Sequence, residues 1–203
     1  MRVLFISIAA FVIFGCAGSN TSSSTKTNTK TIHPELYYDL RQPFYLVVDE
    51  SFYVGCDQAL ANETACRALR LQHIKEGVNQ WLDYFDDSNR PQGVFFPSTE
   101  NPPANRVNKT IHVGMQSIIC GKAALACWFA NKEAPKIVFA ARRWIIPRIM
   151  AHEFGHVLGR GDNDVANGVS SIMSYNTQKK VEPLDFEMMC NMHPECKTMK
   201  RKK

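Results

Sequence analysis

Four things are missing from this 203-residue chain, and each closes off a class of protein. No two cysteines stand in a Cys-x-x-Cys spacing, so a zinc-cysteine module is not expected. There is no internal repeat, which argues against a solenoid or a propeller. The N-terminal apolar run, Val3 to Phe14, has twelve residues, too few to span a bilayer as a permanent helix. The folded body also lacks a net charge. The formal value is +5, but Lys197, Lys200, Arg201, Lys202 and Lys203 supply five positive charges within the last seven residues. No nucleic-acid partner is therefore expected, and residues 197–203 read as a solvated basic tail without a functional role.

What is present begins with an export signal: Arg2 is the positive start, Val3 to Phe14 the apolar run, and small residues follow. The run ends Ile13-Phe14-Gly15-Cys16-Ala17, similar to the bacterial lipobox, in which a cysteine after a small residue is diacylated and becomes the new N-terminus. Phe14 stands where a small or hydroxyl residue is usual, and the alternative is an ordinary cleaved signal with Cys16 discarded or free. Seven cysteines is an odd number, so acylation of Cys16 leaves six to pair in an oxidising compartment. Those six fall into three sequence-local couples: Cys56 with Cys66, Cys120 with Cys127, and Cys190 with Cys196. From Ala17 to Thr31 only Ser, Thr, Asn, Gly and Lys accompany Ala17, the composition of a flexible tether spanning roughly 20 Å. Residues 1–16 are thus expected to be a lipoprotein-type signal peptide and 17–42 a tether. The resulting expectation is an exported monomer, lipid-anchored to the bacterial outer membrane in the periplasm or at the cell surface.

The folded domain is expected over residues 43–196, and 45% hydrophobic content gives it enough material for a sizeable core. Phe44 to Val48 is an aromatic and β-branched run of the kind that forms a buried strand. Leu71, Ile74, Val78, Trp81, Leu82 and Phe85 follow the spacing of one apolar helix face, and Asp86-Asp87-Ser88-Asn89 ends it. Further strands are expected at Gly93 to Phe96, Thr110 to Val113, Leu125 to Ala130 and Lys136 to Ala140. Ile145 to Leu158 reads as a second helix with Pro147 in its first turn, and Pro183 to Asn191 as a last one.

The second helix carries His152-Glu153-Phe154-Gly155-His156. Histidines four residues apart project from one helix face a turn apart, so both imidazoles can reach one ion. A zinc site with an open position lowers the pKa of its water, and a carboxylate beside it takes the proton as attack begins. His152 and His156 are therefore candidate ligands and Glu153 the candidate general base. The five-letter motif alone also occurs in non-enzymes. Its continuation adds to it: Gly159 can take the left-handed conformation that ends a helix, and Asp162 then falls where a turned-back chain offers a carboxylate oxygen. By itself Asp162 also reads as a turn residue in a polar Gly-Asp-Asn-Asp loop.

The run His152 to Asp162 resembles the extended zinc signature of the metzincin metallopeptidases, and Ser171-Ile172-Met173-Ser174-Tyr175 resembles their Met-turn. Most metzincins carry a third histidine where this chain has Asp162, and the Asp form is similar to that of the snapalysins. The order of elements is closer to matrixin and astacin catalytic domains. The resemblance implies an α+β fold: a mixed, twisted sheet with a long backing helix, an active-site helix below it, and a small subdomain after Gly159. It also implies an antiparallel edge strand beside the cleft, expected at Leu125 to Ala130, on which peptide substrates pair by their main chain. It implies Zn²⁺ as cofactor, Met173 beneath the ligands, and Tyr175 as a tyrosine that stabilises the reacting oxyanion. As bland alternatives, Met173 is core filler and Tyr175 a packed cleft wall. The expected activity is a zinc-dependent endopeptidase acting on proteins or peptides. Two alternatives stand beside it: a thermolysin-like peptidase using Glu182 or Glu187 as third ligand, and a non-catalytic zinc-binding surface lipoprotein.

Overall fold

A computed structural model describes residues 38–56, 62–116, 124–162, 170–174 and 180–202. The expected signal peptide, Cys16, the first twenty-one residues of the tether, Cys120 and Tyr175 lie outside the described residues. The architecture is α+β, with one mixed five-stranded sheet and three α-helices among the described residues.

The first strand, β1 (Phe44–Val48), is followed by α1 (Glu63–Leu82), which carries the chain over to β2 (Gly93–Pro97), parallel to β1. Parallel neighbours need such a crossover, because no tight turn can join them. β3 (Ile111–Met115) pairs with β1 and β5 (Lys136–Phe139) with β3, both in parallel, whereas β4 (Ala126–Phe129) runs antiparallel to β5. The order β2-β1-β3-β5-β4 leaves β4 at one edge, at the position expected of an edge strand. α2 (Pro147–Val157) and α3 (Pro183–Met192) follow.

Alternation decides which residues of the sheet meet the helices. Phe44, Leu46 and Val48 of β1, Ile111 and Val113 of β3, and Ile137 and Phe139 of β5 share one core with Ile74, Val78 and Trp81 of α1 and Met150 and Phe154 of α2. The Phe44 ring meets that of Phe154 edge-on at 5.2 Å. α1 and α2 approach closely where side chains are missing: a Cβ on Gly77 would lie 2.7 Å from the Pro147 carbonyl, and one on Gly155 would lie 2.8 Å from Trp81 Cζ2. Trp81 Nε1 donates to the Ala151 carbonyl at 2.8 Å and fixes the crossing.

The body extends beyond both expected boundaries. Tyr38 and Leu40 are fully buried, although residues 17–42 were expected to be tether. Tyr38 stacks on Phe44, Glu195 accepts the Leu40 amide at 2.9 Å, and Asn108 brackets Asp39 through its side-chain oxygen and nitrogen. At the other end the basic residues are stitched down. Asp86 N–H donates to the Lys200 carbonyl at 3.0 Å and Lys202 N–H to the Tyr84 carbonyl at 2.9 Å. Arg201 pairs with Glu187, and Lys202 with Asp87 at 3.2 Å.

Cys56 is bonded to Cys66 and Cys190 to Cys196, two of the three expected local pairs, and Cys127 is also disulfide-bonded. The first of these bonds ties the start of α1, whose Asn62 cap accepts the Thr64 amide at 2.8 Å. No helix among the described residues is long and apolar enough to cross a membrane.

Candidate metal centre

α2 begins with Pro147 in its first turn, where a missing N–H costs nothing, and buries Ile149, Met150, Ala151, Phe154, Gly155 and Val157. His152 and His156 share its remaining stripe, their rings 4.9 Å apart and nearly perpendicular. The helix stops in a Schellman turn: Gly159 N–H returns to the His156 carbonyl at 3.0 Å and Arg160 N–H to the Gly155 carbonyl at 2.9 Å. Gly159 takes φ +84°, a conformation that a Cβ would strain. The reversal brings Asp162 back over the helix. Its Oδ1 lies 3.2 Å from His152 Nε2 and 3.3 Å from His156 Nε2.

Backbone carbonyls set both ring orientations. His152 Nδ1 lies 2.9 Å from the Ile172 oxygen and His156 Nδ1 2.8 Å from the Arg160 oxygen. A carbonyl only accepts, so each Nδ1 carries the proton and each Nε2 is left as the nitrogen facing Asp162. Both sides of each ring then meet an acceptor, an arrangement that suits a cation shared by Nε2 and Oδ1.

His152, His156 and Asp162 each offer one ligand atom, all within 4.8 Å of one another, and form the group among the described residues able to hold a metal ion. Ligands about 2.0–2.1 Å from a tetrahedral ion stand about 3.3 Å apart, which matches the two nitrogen-to-oxygen separations. Two imidazole nitrogens and a carboxylate oxygen make a donor set that divalent transition-metal ions accept.

Glu153 lies beside this group with 5% of its surface exposed. Burial pushes its carboxyl above the usual range, partly opposed by the two histidines and by a backbone hydrogen bond from Trp128, and reinforced by Asp162. Trp128 is on β4, so the edge strand reaches Glu153 directly. Burial works against a charged His156, but its bond to Asp162 and the nearby Glu153 charge outweigh this and raise its pKa. Asp162 also suffers desolvation, yet bonds from His152 and His156 hold it far below the carboxylate range.

Met173 is fully buried, and its side chain abuts Gly155 between the two histidines. Ser171 to Ser174 form a turn closed by Ser174 N–H to the Ser171 carbonyl at 3.2 Å. Glu182 and Glu187 do not join the metal-holding group among the described residues: Glu182 caps α3, and Glu187 pairs with Arg201.

Three supporting residues escaped the sequence reading: Trp128, Arg160 and Asp185. Only Asp185 left a trace, since it stands three residues after Glu182 as the partner in a helix capping box. No protein-family model and no curated protein sequence matches the chain.

Proposed function

We propose that this protein is a zinc-dependent endopeptidase of the metzincin kind. The observation that carries the proposal is the meeting of His152 Nε2, His156 Nε2 and Asp162 Oδ1 beside the buried carboxyl of Glu153. His152, His156 and Asp162 would hold the ion. Bound there, zinc polarises a substrate carbonyl as a Lewis acid and lowers the pKa of water towards neutrality.

Glu153 accepts the proton of the attacking water at its carboxylate as the water oxygen bonds to the scissile carbonyl carbon. It then delivers that proton to the amine nitrogen as the carbon–nitrogen bond breaks. Its burial keeps bulk water from the carboxyl while the proton is in transit. β4 offers an extended substrate a main-chain edge, and the Trp128 hydrogen bond to Glu153 sets that edge against the base. Tyr175 is assigned the oxyanion donor, and Gly159 and Met173 shape the site.

Asp162 completes the ligand group while Glu182 and Glu187 are engaged elsewhere, which supports this reading over a thermolysin-like one. An intact Glu153 supports it over a non-catalytic zinc lipoprotein, whose closed site needs no base. The disulfides support the proposed export, since such bonds persist in oxidising compartments. Anchorage through Cys16 is read out by mass spectrometry of the mature N-terminus. Cleavage of a generic protein substrate, lost on chelation and restored by zinc, tests the activity. A zinc-loaded chain that cleaves no member of a broad peptide library would overturn it.

A further inference from the structure

The two carbonyls that orient the histidines come from separate segments. Ile172 belongs to the turn around Met173, and Arg160 is the residue after the glycine that ends α2. Both are gripped from the same place. Asp185, in the first turn of α3, takes the Ile172 amide on Oδ2 at 2.9 Å and the Ser171 hydroxyl on Oδ1. On its other side Arg160 Nη1 donates to the Asp185 backbone carbonyl at 2.6 Å and lies 3.7 Å from Oδ1. Asp185 Oδ2 also accepts the Glu182 amide at 3.0 Å, which fixes the carboxylate to the start of α3.

The side chains of Asp185 and Arg160 are both 0% exposed. Removing two charges from water is costly, and a buried pair of this kind is weak evidence for stability. Its geometry points to positioning instead. Asp185 holds Ile172, whose carbonyl holds His152, and it anchors the Arg160 side chain, whose own carbonyl holds His156.

We propose that Asp185 is a positioning residue for the metal centre: through Ser171 and Ile172 on one side and Arg160 on the other, one buried carboxylate aims both imidazoles. This rests on the reading of His152, His156 and Asp162 as metal ligands. It makes α3, which supplies no ligand, the element that sets ligand geometry. A helix terminus 25 residues beyond Arg160 thereby controls the site.

The test titrates the metal-free full chain with zinc against a chromophoric chelator, and with cobalt(II) for its visible absorption spectrum. The wild-type chain and His156→Ala are measured first. A wild-type chain that takes up no stoichiometric ion, or a His156→Ala chain that binds as wild type does, refutes the metal-centre reading independently of Asp185. Given a working centre, Asp185→Asn is expected to weaken zinc by about 10- to 100-fold and to shift the cobalt spectrum, with the far-ultraviolet circular dichroism unchanged. Because Asp185→Asn removes the carboxylate beside the buried Arg160 charge and risks unfolding, Ser171→Ala is run beside it. It loosens the carboxylate's grip without leaving a charge unpaired, and is expected to shift the cobalt spectrum in the same direction by a smaller amount. If each variant that folds shows wild-type zinc affinity and an unchanged cobalt spectrum, the positioning role is overturned and Asp185 is only a helix cap.

Discussion

α1 and α2 cross against one another, and each carries histidine with Nδ1 on a backbone carbonyl. His73 of α1 meets the Ile145 oxygen at 2.8 Å, much as His152 and His156 of α2 meet Ile172 and Arg160. The local contact is the same, and the outcome differs. In α1 the histidine ties one helix to the chain entering the next. In α2 two such histidines lie a turn apart, and the Schellman reversal places one carboxylate oxygen across both remaining nitrogens. A histidine held by a carbonyl is therefore an ordinary structural device. Convergence of the opposite ring nitrogens on a third donor makes it a candidate ligand.

The largest effect that sharpens this contrast concerns Glu153, which α1 has no counterpart for. On the proposed mechanism Glu153→Gln removes the proton acceptor and spares the three candidate ligand atoms, so turnover should fall about 10³-fold while zinc content stays at wild-type level. Metal analysis beside single-turnover cleavage checks both halves, and unchanged turnover would remove Glu153 from the chemistry.

Next comes the direct comparison of histidines. His156→Ala should weaken zinc by more than the roughly 10- to 100-fold typical of losing an outer-shell partner. His73→Ala should leave zinc affinity unchanged and cost about 1 kcal/mol of stability for the lost hydrogen bond. Denaturant titrations and chelator competition on both variants check this. Equal effects on zinc affinity would break the distinction between the helices.

The glycines at the crossing give a smaller and subtler separation. An added methyl at Gly77 meets Met150 Cβ at 2.5 Å, and one at Gly155 meets Trp81 and the Met173 side chain. Gly77→Ala and Gly155→Ala should each destabilise by roughly 1–3 kcal/mol through overpacking. Only Gly155→Ala should also weaken zinc, because pushing Met173 moves the turn whose Ile172 carbonyl holds His152. Thermal unfolding with and without zinc separates the two: the zinc-induced rise in Tm should shrink for Gly155→Ala alone.

Legibility in the sequence followed the distance between interacting residues. The candidate ligand run from His152 to Asp162 is local, and helix periodicity with one glycine is enough to fold it on paper. The strands were readable because their β-branched and aromatic runs are continuous, and β4 was expected within a residue or two of where it lies. α1 was visible only from Leu71 onward, since its first turns leave Leu69 exposed, carry no apolar stripe and are held by Asn62, the Cys56–Cys66 bond and the buried Arg70, which donates to the Phe52 carbonyl. Tyr38 and Leu40 lie in a short mixed run, Leu36-Tyr37-Tyr38-Asp39-Leu40-Arg41-Gln42, without the period of a strand or helix, and Leu40 is anchored by Glu195, 155 positions away. Arg160 was silent for the same reason, and Asp185 showed only its place in the capping box. Each has a plain local reading, as surface cation and as helix cap, and only the tertiary fold pairs them.

The smallest effect is a pH dependence that belongs to α2 and follows from the raised pKa of His156. In the metal-free protein that shift means the stabilising contribution of His156 is fully present below its unfolded pKa and is lost as pH rises through its folded, higher pKa. Asp162, held low, works in the opposite sense: its contribution is present above its unfolded pKa and disappears only as pH falls through its depressed folded value, in strong acid. The metal-free pair is therefore strongest between those limits and weakens on the alkaline side of the histidine range. Zinc requires a neutral Nε2, so below the folded pKa of His156 binding must expel a proton, and affinity climbs with pH by up to about tenfold per unit for each proton displaced. Above that pKa the climb stops. The Tm of the zinc-loaded chain should thus diverge from that of the metal-free chain as pH rises through the histidine range, and the divergence should persist above the usual histidine value because Asp162 has moved the midpoint upward. In Asp162→Asn the acidic partner is gone, so the midpoint should move back down, whereas His73→Ala should leave it in place. Calorimetric titration of zinc in buffers of different ionisation enthalpy counts the released protons directly. A proton count that is the same on both sides of the histidine range would show that His156 is neutral throughout and does not exchange a proton for the ion.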